Sequence, residues 1–371
     1  MKLFSKKKSE LELASDKVQA LVKETNEKIN ELGIHDDKLY LVLNHIQGLF
    51  DRIRNIPSDK LLQYESVKKV SLSWKKQVDL IYDDYEKAIK ANISGGAAGA
   101  GMGVGVAALG PTAAMGIATT YGVASTGTAI SALHGAAATN AALAWLGGGA
   151  LSAGGGGMIA GKALLALASP IGWAIAGVAI AGSLLLFWKA KSEKERLEKI
   201  FLQISQRDQQ SYQLAIVELN ERIKRIVDET QKLEEASLDI TTFGIDYNAM
   251  TESQQYALGA YVNLMHSATQ LLVNPILGLL PKYTQDDYMD FLQQRGKFRL
   301  YNCSLFRRDL IIYMANLFYK IQLDESDLPL LIKSFRKNKD FQKQMELEKK
   351  DFDEELFDLV INALNYKYMQ K

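Results

Sequence analysis

The sequence predicts an all-α protein in which charged helical-bundle or coiled-coil arms flank a Gly/Ala-rich, membrane-inserting helical hairpin. Three observations predict it. Apolar residues recur at alternating spacings of four and three on both flanks, as on one face of a helix. Of the 28 glycines, 22 fall between Gly95 and Gly182, and Lys162 is the one charged side chain from Ala91 to Trp188. No stretch shows sustained apolar alternation with Asn-Gly or Asp-Gly turns, so almost no sheet is expected.

The first arm, 1–93, carries Val18, Val22, Thr25, Ile29 and Leu32 on one stripe, with Gly33 as the expected stop. Leu39, Val42, Ile46, Leu49 and Ile53 repeat the pattern until Pro57. Ser58 then opens a third helix with Val67, Trp74, Val78, Ile81, Tyr85 and Ile89 on its stripe. Short links between such helices imply antiparallel packing.

After the centre, 189–235 reads as one long coiled-coil helix with Leu197, Phe201, Ile204, Tyr212, Ile216, Leu219, Ile223, Ile226, Thr230 and Leu233 on its seam. A stutter is expected near Arg207 to Ser211. The remainder, 236–371, is a C-terminal helical domain: a break from Ser237 to Met250, then Thr251 as an N-cap with Gln254 at the capping-box position. Helices are expected at 251–272, 285–295, 302–322, 326–337 and 340–366, with Pro275 and Pro281 separating the first two.

The central region, 94–188, behaves as membrane material. Ala163 to Trp188 is 26 residues without a charge, and its eleven strongly apolar side chains favour insertion by on the order of 3 to 6 kcal/mol. Ser169 can cap a helix that Pro170 starts; the length to Trp188, roughly 28 Å, approaches the hydrocarbon thickness. Pro170, Trp173, Trp188, Lys189 and Lys191 are the expected anchor, with tryptophans at the interfaces and lysines at headgroup level.

Ile93 to Ile130 is apolar mainly through Gly, Ala, Val and Met, and Thr119 and Thr120 are among its polar interruptions. It would insert poorly alone, but Gly95, Gly99, Gly103 and Ala107 recur at four-residue intervals and would let helix backbones approach. Such a segment needs a partner helix. Gly147, Gly148 and Gly149 with Gly154, Gly155, Gly156 and Gly157 are the expected hairpin turn.

The run Gly-Ala-Ala-Ala-Thr-Asn at 135–140, with the paired glycine clusters after it, resembles bacterial glycine-zipper membrane-active proteins, including toxin-like effectors. The resemblance covers about residues 128–165. The layout of charged arms around an apolar hairpin is also similar to the α-helical pore-forming toxins, a likeness of architecture alone. Both imply an oligomer that works on a lipid bilayer.

Several function classes are disfavoured. Forty-four basic residues against 43 acidic ones, a net charge of +1, argue against nucleic acid as a partner. One cysteine, Cys303, and four scattered histidines provide no disulfide and no clustered metal site. Gly156 to Ala163 is one residue short of a phosphate loop because Ala163 stands where Ser or Thr would hold magnesium. Gly103 to Ala108 imitates a dinucleotide fingerprint without the strand that it needs. Asp36 with Asp37, and Asp83 with Asp84, read as helix starts or solvated faces, and Lys333 to Lys343 as a solvated amphipathic helix.

No acid, base and nucleophile constellation is visible, so no enzyme and no cofactor is expected. The expected activity is permeabilisation or depolarisation of a bilayer by a homo-oligomer, with the arms available to a protein partner. The alternative is a constitutive membrane scaffold or tether within a larger complex. Lysines flank both sides of the block, placing both arms in the cytoplasm with two or four crossings. A form that is soluble before insertion is compatible with this, and the charged stretch Ser9 to Glu12 argues against a cleaved signal peptide.

Overall fold

A computed structural model describes residues 9–94, 111–122, 191–294, 305–337, 342 and 348–369. Among these residues the protein is all helical. The elements are α1 (Glu10–Phe50), α2 (Ser58–Ser94), α3 (Pro111–Tyr121), α4 (Lys191–Thr241), α5 (Glu252–Val273), α6 (Gln285–Gln294), α7 (Leu305–Phe318), α8 (Asp327–Lys337) and α9 (Glu354–Met369). Short 3₁₀ turns at Tyr247–Ala249, Leu277–Leu279 and Lys349–Asp351 join some of them.

α1 and α2 form an antiparallel hairpin. Gln47 Nε2 donates to Ser71 Oγ at 3.1 Å, Tyr64 Oη donates to the Gln47 carbonyl at 2.9 Å, and Lys68 pairs with Asp51 at 2.8 Å beside the turn. Further along, the Tyr40 and Trp74 rings lie 5.6 Å apart.

α4 lies beside α1 and runs parallel to it. Gln209 near the start of α4 donates to the Ala14 carbonyl, Lys38 pairs with Glu234 further on, and beyond both helices Arg54 and Asp246 form a parallel bridge. A parallel pair cannot be joined by a short loop, and α2, antiparallel to α1, carries the chain back toward the level at which α4 begins. α5 then folds back antiparallel on α4, with Tyr261 bonded to Asp239 and Arg222 bonded to the carbonyls of Leu271 and Asn274.

Among the described residues two apolar cores result. The first gathers the inward stripes of α1, α2, α3, the later turns of α4, and α5; Leu32, Leu39, Trp74, Leu219, Ile226, Met265 and Leu272 are fully buried in it. The second gathers Leu11 and the first turns of α4 with α6 to α9. Asn316 organises the second core: its amide donates to the carbonyls of Tyr283 and Ile312, and its carbonyl oxygen accepts from the backbone N–H groups of Lys282 and Tyr283. Asn316→Leu leaves those buried groups unpaired, and we expect a loss of about 2 to 4 kcal/mol in urea unfolding.

The seam residues of the long helix, from Leu197 to Leu233, are all buried as the spacing requires. Thr251 and Gln254 form the reciprocal capping box of α5. α5 ends at Val273, ahead of Pro275.

Three boundaries differ. Gly33 does not stop a helix: α1 is continuous from Glu10 to Phe50, because Gly33 is used for close packing. α4 runs on past residue 235 to Thr241, so the break after it is shorter. In place of one helix over 340–366, a 3₁₀ turn at Lys349–Asp351 precedes α9, and the Asp353 carboxylate accepts from the Leu356 N–H in its first turn. No described helix is long and apolar enough to cross a membrane, and Ala163 to Trp188 lies outside the described residues.

Candidate functional site

The site is α3 and the cradle that holds it. α3 belongs to the charge-depleted block, and residues 113–122 are all buried. Pro111 starts the helix, where its missing N–H costs nothing, and Ala113, Ala114, Met115, Ile117 and Ala118 continue it with low-entropy or apolar side chains. Such a helix has no face to offer water.

Two glycines allow the seating. A Cβ on Gly33 would overlap the Thr112 carbonyl oxygen and stand 2.8 Å from the Gly116 nitrogen; one on Gly116 would overlap the Ile29 carbonyl oxygen. The backbones of α1 and α3 therefore cross at a separation that only paired glycines permit, so each gains dispersion contacts. Gly33 and Gly116 were not recognised as partners from sequence, although an isolated glycine inside a strong helical pattern is a signal of close packing.

Polar groups complete the fit. Trp74 of α2 is fully buried and its Nε1 donates to Thr119 Oγ1 at 3.2 Å. The Thr120 hydroxyl satisfies the Gly116 carbonyl, and the Thr120 carbonyl accepts from the Ile276 N–H at 2.8 Å. Thr119 and Thr120, which read as interruptions in a membrane segment, thus pin α3 inside the bundle. Gly122 closes the helix at φ 74°, where a Cβ would lie 2.8 Å from the Pro275 nitrogen.

Asp36 corrects an expectation. It does not start a helix or face solvent; it lies within α1, one turn past Gly33, with no exposed surface. Neither carboxylate oxygen has a hydrogen bond of normal geometry. Burial pushes its pKa well above the usual carboxylate range, while the Thr119 hydroxyl and the Arg222 charge pull the other way. Arg222 is itself depressed by burial, with Asp36 and Glu218 opposing that and Arg225 adding to it.

A second buried carboxylate serves the far end. Asp208 pairs with Arg207 at 2.9 Å, and burial raises its pKa to about 6 against that pairing. Arg207 donates to the carbonyls of Leu317 and Tyr319 at the C-terminal end of α7, tying the first core to the second. Tyr212, one turn from Asp208, is held protonated by burial, with Asp208 and Tyr121 of α3 acting in the same direction.

Gly95, Gly99, Gly103 and Ala107, the turn glycines 147–149 and 154–157, and Pro170, Trp173, Trp188 and Lys189 lie outside the described residues. Lys191 is the first residue of α4, exposed, and stands 3.7 Å from Glu195. Among the described residues no group of His, Cys, Asp and Glu could hold a metal. His45 and His266 are exposed and His35 is half-buried. In the basic run, Arg336 donates to the Phe352 carbonyl at 2.6 Å, an internal use.

No protein-family model matches this chain, and no curated protein and no solved structure shows significant similarity to it.

Proposed function

We propose that this chain is a membrane-inserting, oligomerising protein that permeabilises or depolarises a bilayer, and that the helical bundle is its storage form. The observation that carries the reading is the burial of α3, an uncharged piece of the glycine-rich block, inside a cradle made by the charged arms. A soluble bundle has no need to draw its core from a segment with membrane composition. A protein that must hide such a segment until it meets lipid does.

The energetics suit a two-state protein. Met115, Ile117 and Tyr121 are each worth roughly 1.5 to 3 kcal/mol of burial, so α3 stays seated while nothing competes. Insertion of Ala163 to Trp188, favourable by about 3 to 6 kcal/mol, is of the same size and can offset the loss of that seat. α3 would then leave with the rest of 94–188, the Gly95, Gly99, Gly103 and Ala107 stripe would pack membrane helices together, and the arms would set the oligomer. The work is physical, with no catalytic residue and no cofactor.

The test is release of an encapsulated dye from liposomes by the purified chain. Wild type should release it, and Gly99→Leu should abolish release while far-UV circular dichroism stays unchanged. Undiminished release by Gly99→Leu removes the zipper from the mechanism; no release by wild type, together with a protein that only detergent extracts from membranes, favours the scaffold or tether.

A further inference from the structure

The cradle holds a feature that weakens it. Asp36 sits one turn from the Gly33 and Gly116 crossing, fully buried, with both oxygens lacking hydrogen bonds of normal geometry. A buried carboxylate short of hydrogen bonds is among the costliest groups a core can carry when it is charged. The surrounding groups relieve it only in part, because desolvation outweighs them. From α3 the facing group is Thr119, whose oxygen accepts from Trp74 of α2 and whose proton is turned toward the Asp36 carboxylate without completing a bond of normal geometry. From α4 it is Arg222, with Arg225 and Glu218 beside it. α5 presents the carbonyls of Leu271 and Asn274, and these hold the Arg222 guanidinium at 2.6 and 2.7 Å. On α1 itself, half-buried His35 is next in the chain, and Tyr40 one turn on lies near Lys75 and Asp79 of α2.

We propose that Asp36 is a charge-sensing release element: ionisation of its carboxyl weakens the seating of α3, and protonation holds the helix in place. Leaving the cradle takes Thr119 away and opens the carboxylate to water, so the charged form favours the undocked state. The geometry alone sets this direction, because the same side chain is dry with α3 docked and hydrated without it.

The sign for pH follows. Burial raises the docked carboxyl above its unfolded value of about 3.9, so below that value both states are protonated and docking suffers no penalty. As pH rises past it, the undocked state loses its proton while the docked state keeps it, and undocking gains up to about tenfold per pH unit until the docked carboxyl also ionises. Acid therefore locks α3 and rising pH loosens it. Asp208, faced by Arg207 and Tyr212, is also raised, to about 6, so substitution of Asp36 alone separates the two carboxyls.

The experiment is amide hydrogen exchange of 113–121 in the full chain at steps from about pH 4 to about pH 8.5, corrected for intrinsic exchange, with α9 as the internal reference. The opening constant of α3 should rise with pH by up to about tenfold per unit until the docked carboxyl ionises, while that of α9 does not follow it. Asp36→Asn should flatten the rise with His35 and Asp208 still in place, and Asp36→Ser provides the same readout if the asparagine variant misfolds. A wild-type α3 whose opening ignores pH overturns the proposal, and so does a neutral variant that keeps the full rise. The consequence for membranes rests on the function proposed above, but this measurement involves no lipid. Dye release that fails while the pH-dependent opening persists would remove that function and leave the sensor standing.

Discussion

Gly116→Val is expected to unseat α3. The added Cβ would overlap the Ile29 carbonyl oxygen, a backbone atom in the middle of α1 that cannot swing aside as a side chain can. Overpacking a core commonly costs about 1 to 3 kcal/mol, and a collision between two helix backbones belongs at or beyond the upper end, so we expect about 3 to 5 kcal/mol. Chemical denaturation should show that loss. Hydrogen exchange should place it in α3 and the residues that it covers, with α6 to α9 retaining their protection because they form a separate core. On the proposed function, the same variant should bind liposomes without a lag, because the seat that delays insertion is gone. A Gly116→Val chain with wild-type stability would mean that the close crossing is not maintained in solution.

The second large effect distinguishes the cradle from the membrane segment. Replacing 123–188 with a flexible Gly/Ser linker keeps α3, whereas replacing 95–188 removes it. Both chains should fail to depolarise expressing cells when read with a membrane-potential dye. Only the first should keep the stability of the first core. The second loses the burial of Met115, Ile117 and Tyr121, roughly 5 to 9 kcal/mol as an upper estimate, and uncovers Trp74. Undiminished depolarisation by the chain lacking 123–188 would refute insertion of Ala163 to Trp188. Equal stability of the two chains would refute the structural role of α3.

The arms were largely legible from residue order. Val18 to Leu32 and Leu197 to Leu233 carry their spacing in the chain itself, and each of those side chains is buried. The Thr251 and Gln254 box was equally readable, since a cap is made by residues three apart. The site was not. Gly33 has the local signature of a helix end, and Asp36 beside Asp37 has that of a solvated turn. Their neighbours, Thr112, Gly116, Thr119 and Arg222, come from α3 and α4, far away in sequence. Thr119 and Thr120 illustrate the same difficulty: by themselves they weaken a membrane helix, and they acquire their role only when Trp74 and Ile276 are brought beside them.

The sequence by itself determined that the protein is helical, where its seams lie, and that its uncharged residues are concentrated in one block, because periodicity and composition are properties of the chain. Tertiary structure alone decided that α1 and α4 run parallel, that part of the uncharged block is core, and that a carboxylate is buried against it. Those outcomes depend on which backbones can approach closely and which charges lose their water. Both are properties of pairs of distant segments, and they come into being when the segments meet.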